Sequence, residues 1–436
     1  MPSQSSRPLQ SDLATLGGWC FLAGVFLMVT GDGLTNINQP MAAQAWPWLY
    51  LVPFGISLVL MVAAGGVRLR LAARASIIYA PLAALLAAFA LSAIFSQERS
   101  LSLVSLGWLA AIALFWWFTA QVLEERWLAD ATGIVVAVAM LELAIRVIIF
   151  RVDEGLDQIP SWINSVVWQG KLQITWVFNL FAPVLLARFI GERRRWVSVL
   201  NGVAWAAVGL ANYLLLSRMG TLVFVLTTLA VCLVNLSHWR RWIALMGVAA
   251  VGGAVVIANN LRITTFVVST FLDRSKNPGI DLRLRVWEEA WRLFVAHPIV
   301  GTGVGTFDEV IYRVPDTRAN LDFRMHGWHA HNVPLHILTE AGIIGIAAWI
   351  FLWFIILRAL IGGWRSSDWE QRMFSRVSVV SVLAFHLLSM TEVLIGARVQ
   401  SSLQMNLTIA LLVLLGLRMS LPAPSANSDL RVESSA

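Results

Sequence analysis

The sequence predicts an all-α membrane protein of about twelve transmembrane helices, with one large, mainly helical loop between the ninth and tenth. Three observations carry this. Hydrophobic residues make up 58% of the 436-residue chain and charged residues only 13%, with a mean hydropathy of +0.72, which leaves too little polar surface to coat a water-soluble globule. Apolar runs of about 20 residues, the length that crosses a hydrocarbon core of roughly 30 Å, recur along nearly the whole chain. Tryptophans stand near the ends of those runs, among them Trp46, Trp48, Trp116, Trp117, Trp239 and Trp242, where an amphipathic ring prefers the interface.

In chain order the spans are expected near 13–30, 45–66, 76–95, 101–123, 128–150, 172–190, 197–216, 219–236, 243–259, 341–361, 374–391 and 401–420. The residues ahead of the first span are polar and lead into an apolar run without a small-residue cleavage pattern, so that helix is expected to be retained. Arg68, Arg70 and Arg74, then Arg193 to Arg195, Arg240 and Arg241, and Arg365, Arg372 and Arg376 all fall on one side, which is therefore cytoplasmic. Both termini share it. The chain divides into 1–259 with spans one to nine, a loop domain at 260–340 on the opposite side, 341–420 with spans ten to twelve, and a tail at 421–436 whose composition is that of disorder. A smaller loop at 151–170 shares the side of the large one.

The formal charge of +7 comes almost entirely from arginine, since Lys171 and Lys276 are the only lysines. It suits anionic membrane lipids or a phosphorylated ligand; no nucleic-acid partner is expected. Cys20 and Cys232 fall inside apolar runs, so neither a disulfide nor a metal site is expected from them.

Within the large loop, DLRLRVWEEAWRLFVA (281–296) places Leu284, Trp287, Trp291, Phe294 and Val295 on one helical face, the pattern of a helix lying on a membrane surface. His297-Pro298 ends it. Arg283 and Arg285 on this helix are candidates to bind a diphosphate, although Arg285 and Glu289 are also spaced to pair with each other. The following GTGVGTF (301–307) lies after a helix stop and not after a strand, so it is a tight backbone turn and not a dinucleotide loop.

Four histidines, His326, His329, His331 and His336, lie in HGWHAHNVPLHILTEAGIIG (326–345). Zinc ligation, ordinary interfacial hydrogen bonding and general-base chemistry on a sugar hydroxyl are all open to them; the spacing does not reproduce a common helical metal motif. Ser217-Arg218 ends the seventh span, where a guanidinium either snorkels to the interface or binds a diphosphate bidentately. Glu142 and Arg146, four apart inside the fifth span, are expected to pair.

Together these segments resemble the O-antigen ligase and polymerase family. The resemblance rests on S-R-x-G at Ser217 to Gly220, on R-x-W followed by H-P-I-V-G-T-G (Arg285, Trp287, His297 to Gly303), and on H-N-x9-G-x-x-G (His331, Asn332, Gly342, Gly345). It covers about residues 200 to 350 by motif and the rest by topology. The chain departs from the family where an N-P-N-like signature often precedes the sixth span; here the stretch is WQGKLQITWVFNLF (168–181).

The resemblance implies an inner-membrane glycosyltransferase with its site on the periplasmic face. It would transfer a polysaccharide from an undecaprenyl diphosphate-linked O-antigen donor to the lipid A core in lipopolysaccharide biosynthesis, by inverting displacement without a metal. It implies His331 as base, Arg218 and Arg285 as the diphosphate clamp, and Arg283, Lys171, Asn332, His329 and His336 as substrate-binding residues, with His329 and His336 as second choices for the base. His331 would be fixed by Asn332 and by a helix starting near Glu340 to Gly342. The donor is already activated, so no nucleotide cofactor is required. A polymerase or a protein O-oligosaccharyltransferase of the same family is the nearest alternative, and a lipid or polysaccharide transporter the alternative from another class. Against transport, the notable polar residues gather at one interface and one loop and not at the midplane.

Overall fold

A computed structural model describes residues 6–30, 49–65, 76–154, 168–215, 217–234, 242–243, 245–247, 278–311, 329–390 and 399–420. These form α1 (Ser6–Thr30), α2 (Leu51–Ala63), α3 (Ser76–Phe95), α4 (Arg99–Val122), α5 (Arg126–Glu154), α6 (Trp168–Gly191), α7 (Arg195–Leu214) and α8 (Arg218–Val234). After these come α9 (Pro278–Ala296), α10 (Phe307–Ile311), α11 (Val333–Gly362), α12 (Trp369–Ser389) and α13 (Val399–Ser420). Among the described residues eight helices are long and apolar enough to cross a membrane, and Leu51–Ala63, Met219–Val234 and Met405–Ser420 are shorter apolar helices. The eight fall at expected spans and the three shorter ones lie within the spans expected at 45–66, 219–236 and 401–420, while most of the ninth, at 243–259, lies outside the described residues, as do His326 and the tail at 421–436.

The bundle is organised around α6 and α12. α6 packs on α7, α8 and α12, and α12 also on α11 and α13. Trp176, Phe178 and Phe181 of α6 are fully buried. Phe385 of α12 stacks on Trp353 of α11 at 4.8 Å and meets Trp176 edge-on at 6.4 Å, contacts that supply large apolar area with defined geometry. The outer helices instead turn apolar side chains outward, such as Val59, Val104 and Phe354, which suits a lipid solvent. Glu142 and Arg146 form the expected ion pair.

Arginines close several helix ends. Arg151 Nε donates to the Leu214 carbonyl at the end of α7 (3.0 Å), Arg376 Nη1 to Val234 at the end of α8 (2.8 Å), and Arg418 Nε to Leu123 just past α4 (2.8 Å). The last carbonyls of a helix have no partner of their own, and near hydrocarbon an unmet carbonyl is costly. A planar guanidinium on a neighbouring helix meets that need, a use for arginine over lysine that involves no ligand.

The helix expected to start near Glu340 to Gly342 starts earlier, at Val333, and Gly342 breaks it (φ 63°, ψ −161°). A run of 30 residues would be about 45 Å long if straight, well beyond a hydrocarbon core of roughly 30 Å. The break therefore separates a first segment that carries His336, Thr339 and Glu340, and heads the helix on the loop side, from the apolar segment suited to spanning.

Candidate functional site

The loop side is assembled around α11. Asn332 caps it: its Oδ1 accepts the Leu335 N–H at 3.0 Å, and Pro334 follows in the first turn, the residue types that favour a helix start. Just before the cap, His331 adopts the left-handed conformation (φ 47°), alone among the described non-glycine residues. That conformation costs an L-residue roughly 1 to 2 kcal/mol. The His331 N–H donates to His329 Nδ1 at 3.2 Å, and the two rings lie 4.1 Å apart.

α9 packs along α11 and brings the R-x-W motif to this turn. Trp287 Nε1 donates to the Ala330 carbonyl at 2.7 Å, and Thr339 Oγ1 to the Ala290 carbonyl at 3.1 Å. Val286, Ala290 and Leu293 are buried with Phe307, Val310 and Ile311 in a small core of their own. The face expected to meet the membrane is therefore partly used inside: Trp287 turns to Ala330, while Leu284, Trp291 and Val295 stay exposed. Glu289 is buried and accepts from Arg292 at 3.0 Å, with Glu288 on the same guanidinium. As expected from His297-Pro298, α9 ends at Ala296.

The turn 297–307 is held by backbone. The N–H groups of Thr302 and Gly303 donate to the carbonyls of Thr339 and Glu340, and Ile343 N–H donates to Pro298, at 2.9 to 3.0 Å. Gly301, Gly303, Gly305 and Gly342 all have positive φ. A Cβ on Gly301 would overlap the backbone of Glu340, one on Gly342 the backbone of Ile299, and ones on Gly303 and Gly305 would strike Ser96 and Ser105. Beneath lie serines of α3 and α4 and, between them, Ser96 just past the end of α3: Ser92 Oγ donates to the Glu340 carbonyl (2.6 Å), Ser96 Oγ to the Thr302 carbonyl (3.3 Å), and Ser102 Oγ to Ser96 Oγ (2.8 Å). The glycines of the second and third motifs thus meet one another, as the expected tight turn.

Glu340 joins these parts. Its buried Oε1 accepts the Phe307 N–H at 3.0 Å, at the start of α10. His336 is buried too, with Nε2 3.5 Å from that carboxylate and its ring 5.0 Å from Phe307. The histidines consequently divide: His329 and His331 stand together at the half-buried turn, while His336 points into the core. Among the described residues no three His, Cys, Asp or Glu side chains group as metal ligands.

The S-R-x-G motif forms a second cluster. Ser217 is the N-cap of α8, its Oγ accepting the Gly220 N–H at 3.2 Å. Gly220 allows α6 to approach, since a Cβ there would overlap the methyl of Thr175. One turn further into α6, Asn179 Nδ2 donates to the Thr175 carbonyl (2.7 Å) and reaches Asn212 of α7 at 3.4 Å. Arg151 holds the end of α7 three residues before Ser217. For Arg218 and Lys171 the description extends to the backbone alone: Arg218 is the first residue of α8 and Lys171 lies in the first turn of α6. Arg285 is exposed on α9 and Arg283 half-buried.

The histidine turn and the R-x-W helix are thus brought into one unit, and the S-R-x-G turn is built separately from α5 to α8. Sequence reasoning missed Glu340, Arg151 and the serine seat. The serines carried a signal in their spacing, 92 and 96, then 102 and 105, one helical turn apart on two adjoining helices. Glu340 and Arg151 had none, since their partners are backbone groups far along the chain.

Residues 202–350 match the model of a family described as O-antigen ligase. The match spans all three motifs, and the resemblance they carry is borne out. The family comprises glycosyltransferase-like ligases and polymerases acting on lipid-linked polysaccharides in membranes. No curated protein matches the chain.

Proposed function

We propose, taking the ligase-type segment at 202–350 as premise, that the protein moves a polysaccharide from undecaprenyl diphosphate to the lipid A core. The reaction would take place on the periplasmic face of the inner membrane, with both termini cytoplasmic, residues 260–340 as the periplasmic domain and spans on either side of it. The observation that best supports this reading is the bond from Trp287 to Ala330, which ties the helix bearing Arg285 to the residue before His331. A cation and a base from two distant motifs are thereby carried by one rigid unit.

In this mechanism His331 takes the proton of an acceptor hydroxyl, and the hydroxyl oxygen attacks the anomeric carbon of the donor. The bond from that carbon to the diphosphate oxygen breaks, and configuration inverts. Arg218 and Arg285 receive the charge that grows on the leaving diphosphate, which planar guanidinium groups can do bidentately. Arg283 and Lys171 assist, and Asn332 holds the turn as the helix cap. The hydroxyl and the anomeric carbon must be brought together at about 3 Å in line with the leaving oxygen.

The test is to incubate the protein in lipid with undecaprenyl diphosphate-linked glycan and lipid A core, with and without a chelator. Glycan joined to the core in both samples supports a metal-independent ligase. Elongated lipid-linked glycan would replace that reading with a polymerase, glycan on protein with a protein transferase, and the absence of all three products with transport. Within the ligase, His331→Ala should abolish transfer while the variant still inserts and melts cooperatively. Arg218→Lys should be impaired, because one ammonium does not reproduce the fork.

A further inference from the structure

We infer that His329 is a positioning residue for His331, not a second base, and that it acts as a side-chain acceptor holding the next-but-one peptide N–H. This rests on the reading of His331 as the base. Three bonds fix the segment: His329 Nδ1 accepts the His331 N–H at 3.2 Å, Trp287 Nε1 holds the Ala330 carbonyl at 2.7 Å, and Asn332 Oδ1 takes the Leu335 N–H at 3.0 Å. Between them sits the left-handed His331, a conformation that persists only where neighbours impose it.

The chemistry of the ring decides the role. A neutral imidazole has one acceptor nitrogen and one N–H. In His329 the acceptor is Nδ1, engaged with the peptide N–H of His331, so the ring proton sits on Nε2. In that tautomer Nε2 donates and cannot receive a proton, and Nδ1 is occupied. His329 is therefore unable to serve as base while the turn is intact, although its Nε2–H remains a donor. His336 is also removed from that role, being buried against Glu340 and Phe307. Of the three histidines weighed for the base, these contacts engage His329 as a backbone acceptor and bury His336 in the core, which leaves His331.

The bond from a side chain at one position to the N–H two residues on is the one that asparagine makes in an Asx turn. Asparagine can thus replace the acceptor without replacing the imidazole, which makes the inference testable. The full-length protein, His329→Asn and His329→Ala are compared in lipid nanodiscs for transfer from undecaprenyl diphosphate-linked glycan to lipid A core. Ring nitrogens are followed in parallel by 15N NMR of histidine-labelled protein. His329→Ala should lower kcat about 10²-fold, the scale of a displaced catalytic group, with little change in donor KM and an unchanged melting temperature. His329→Asn should stay within a few-fold of the native kcat. The native spectrum should contain an Nε2–H tautomer that His329→Asn removes. An asparagine variant as inactive as the alanine variant, or an alanine variant with native kcat, would overturn the positioning role. A His329 tautomer protonated on Nδ1 would overturn it even if the native protein transferred no glycan, an outcome that would by itself count against the proposed function alone.

Discussion

The glycine turn between α9 and α10 and the Ser217–Gly220 turn between α7 and α8 are both built on glycine, but different physics holds them. At the first, backbone meets backbone: Gly301 and Gly342 each lie against the main chain of the other's segment, and four backbone hydrogen bonds cross the junction. At the second, side chains do the work. Ser217 caps α8, the Thr175 methyl rests under Gly220, and Arg151 closes α7. A backbone junction cannot yield, because its atoms belong to helices already packed, whereas a side chain can rotate. The two turns should therefore differ sharply in their tolerance of a single added methyl group.

The widest separation is expected between two glycine substitutions. Gly301→Ala adds left-handed strain to a collision with the Glu340 backbone, and should cost more than about 3 kcal/mol. Gly220→Ala presses only on the Thr175 methyl and the Ser217 hydroxyl, and should cost about 1 to 2 kcal/mol. Thermal melts in detergent would measure both; equal losses would show that the turns are not differently built. Next in size is Glu340→Ala, which leaves the buried Phe307 N–H without its acceptor and should cost about 2 to 3 kcal/mol. Glu340→Gln keeps an acceptor oxygen there and should recover much of the loss.

The same comparison explains what the sequence discloses. Spans are legible because crossing a bilayer takes about 20 apolar residues in a row, a local property. The start of α11 is less so: its first turns, VPLHILTE, are polar enough to pass for loop, although Asn332 and Pro334 supply a start signal. The charged residues of the motifs stand out because charge near hydrocarbon is costly. What holds those motifs is not local: Ser92 and Glu340 lie 248 positions apart, and a glycine accepts a neighbour's backbone without recording which neighbour. Nor does an arginine announce its partner: Arg151, Arg376 and Arg418 donate to helix-end carbonyls 63, 142 and 295 positions away.

His331 offers a finer probe of the backbone-built side. His331→Ala and His331→Gly both remove the imidazole, so both should lose transfer. Glycine, however, adopts the left-handed conformation freely, so His331→Gly should be about 1 kcal/mol more stable than His331→Ala. Melting the two variants side by side separates strain from chemistry; identical stabilities would mean that φ at this residue relaxes in the variants.

The smallest expected effect lies on the side-chain-built turn. Ser217→Ala removes the N-cap bond to Gly220, worth about 1 kcal/mol, but it leaves Gly220, Thr175 and the Arg151 cap in place. Arg218 would still be the first residue of α8, on a turn whose helix frays more readily. Transfer should therefore fall by a small factor, in kcat as well as through a raised donor KM, because in the proposed mechanism Arg218 both binds the diphosphate and receives the charge that grows on it. Ser217→Asp, a cap of similar strength, should restore the stability but set a carboxylate beside the guanidinium. Stability recovered with the donor KM still raised would place Arg218 at the diphosphate, while a donor KM that follows stability alone would reduce Ser217-Arg218 to a helix start.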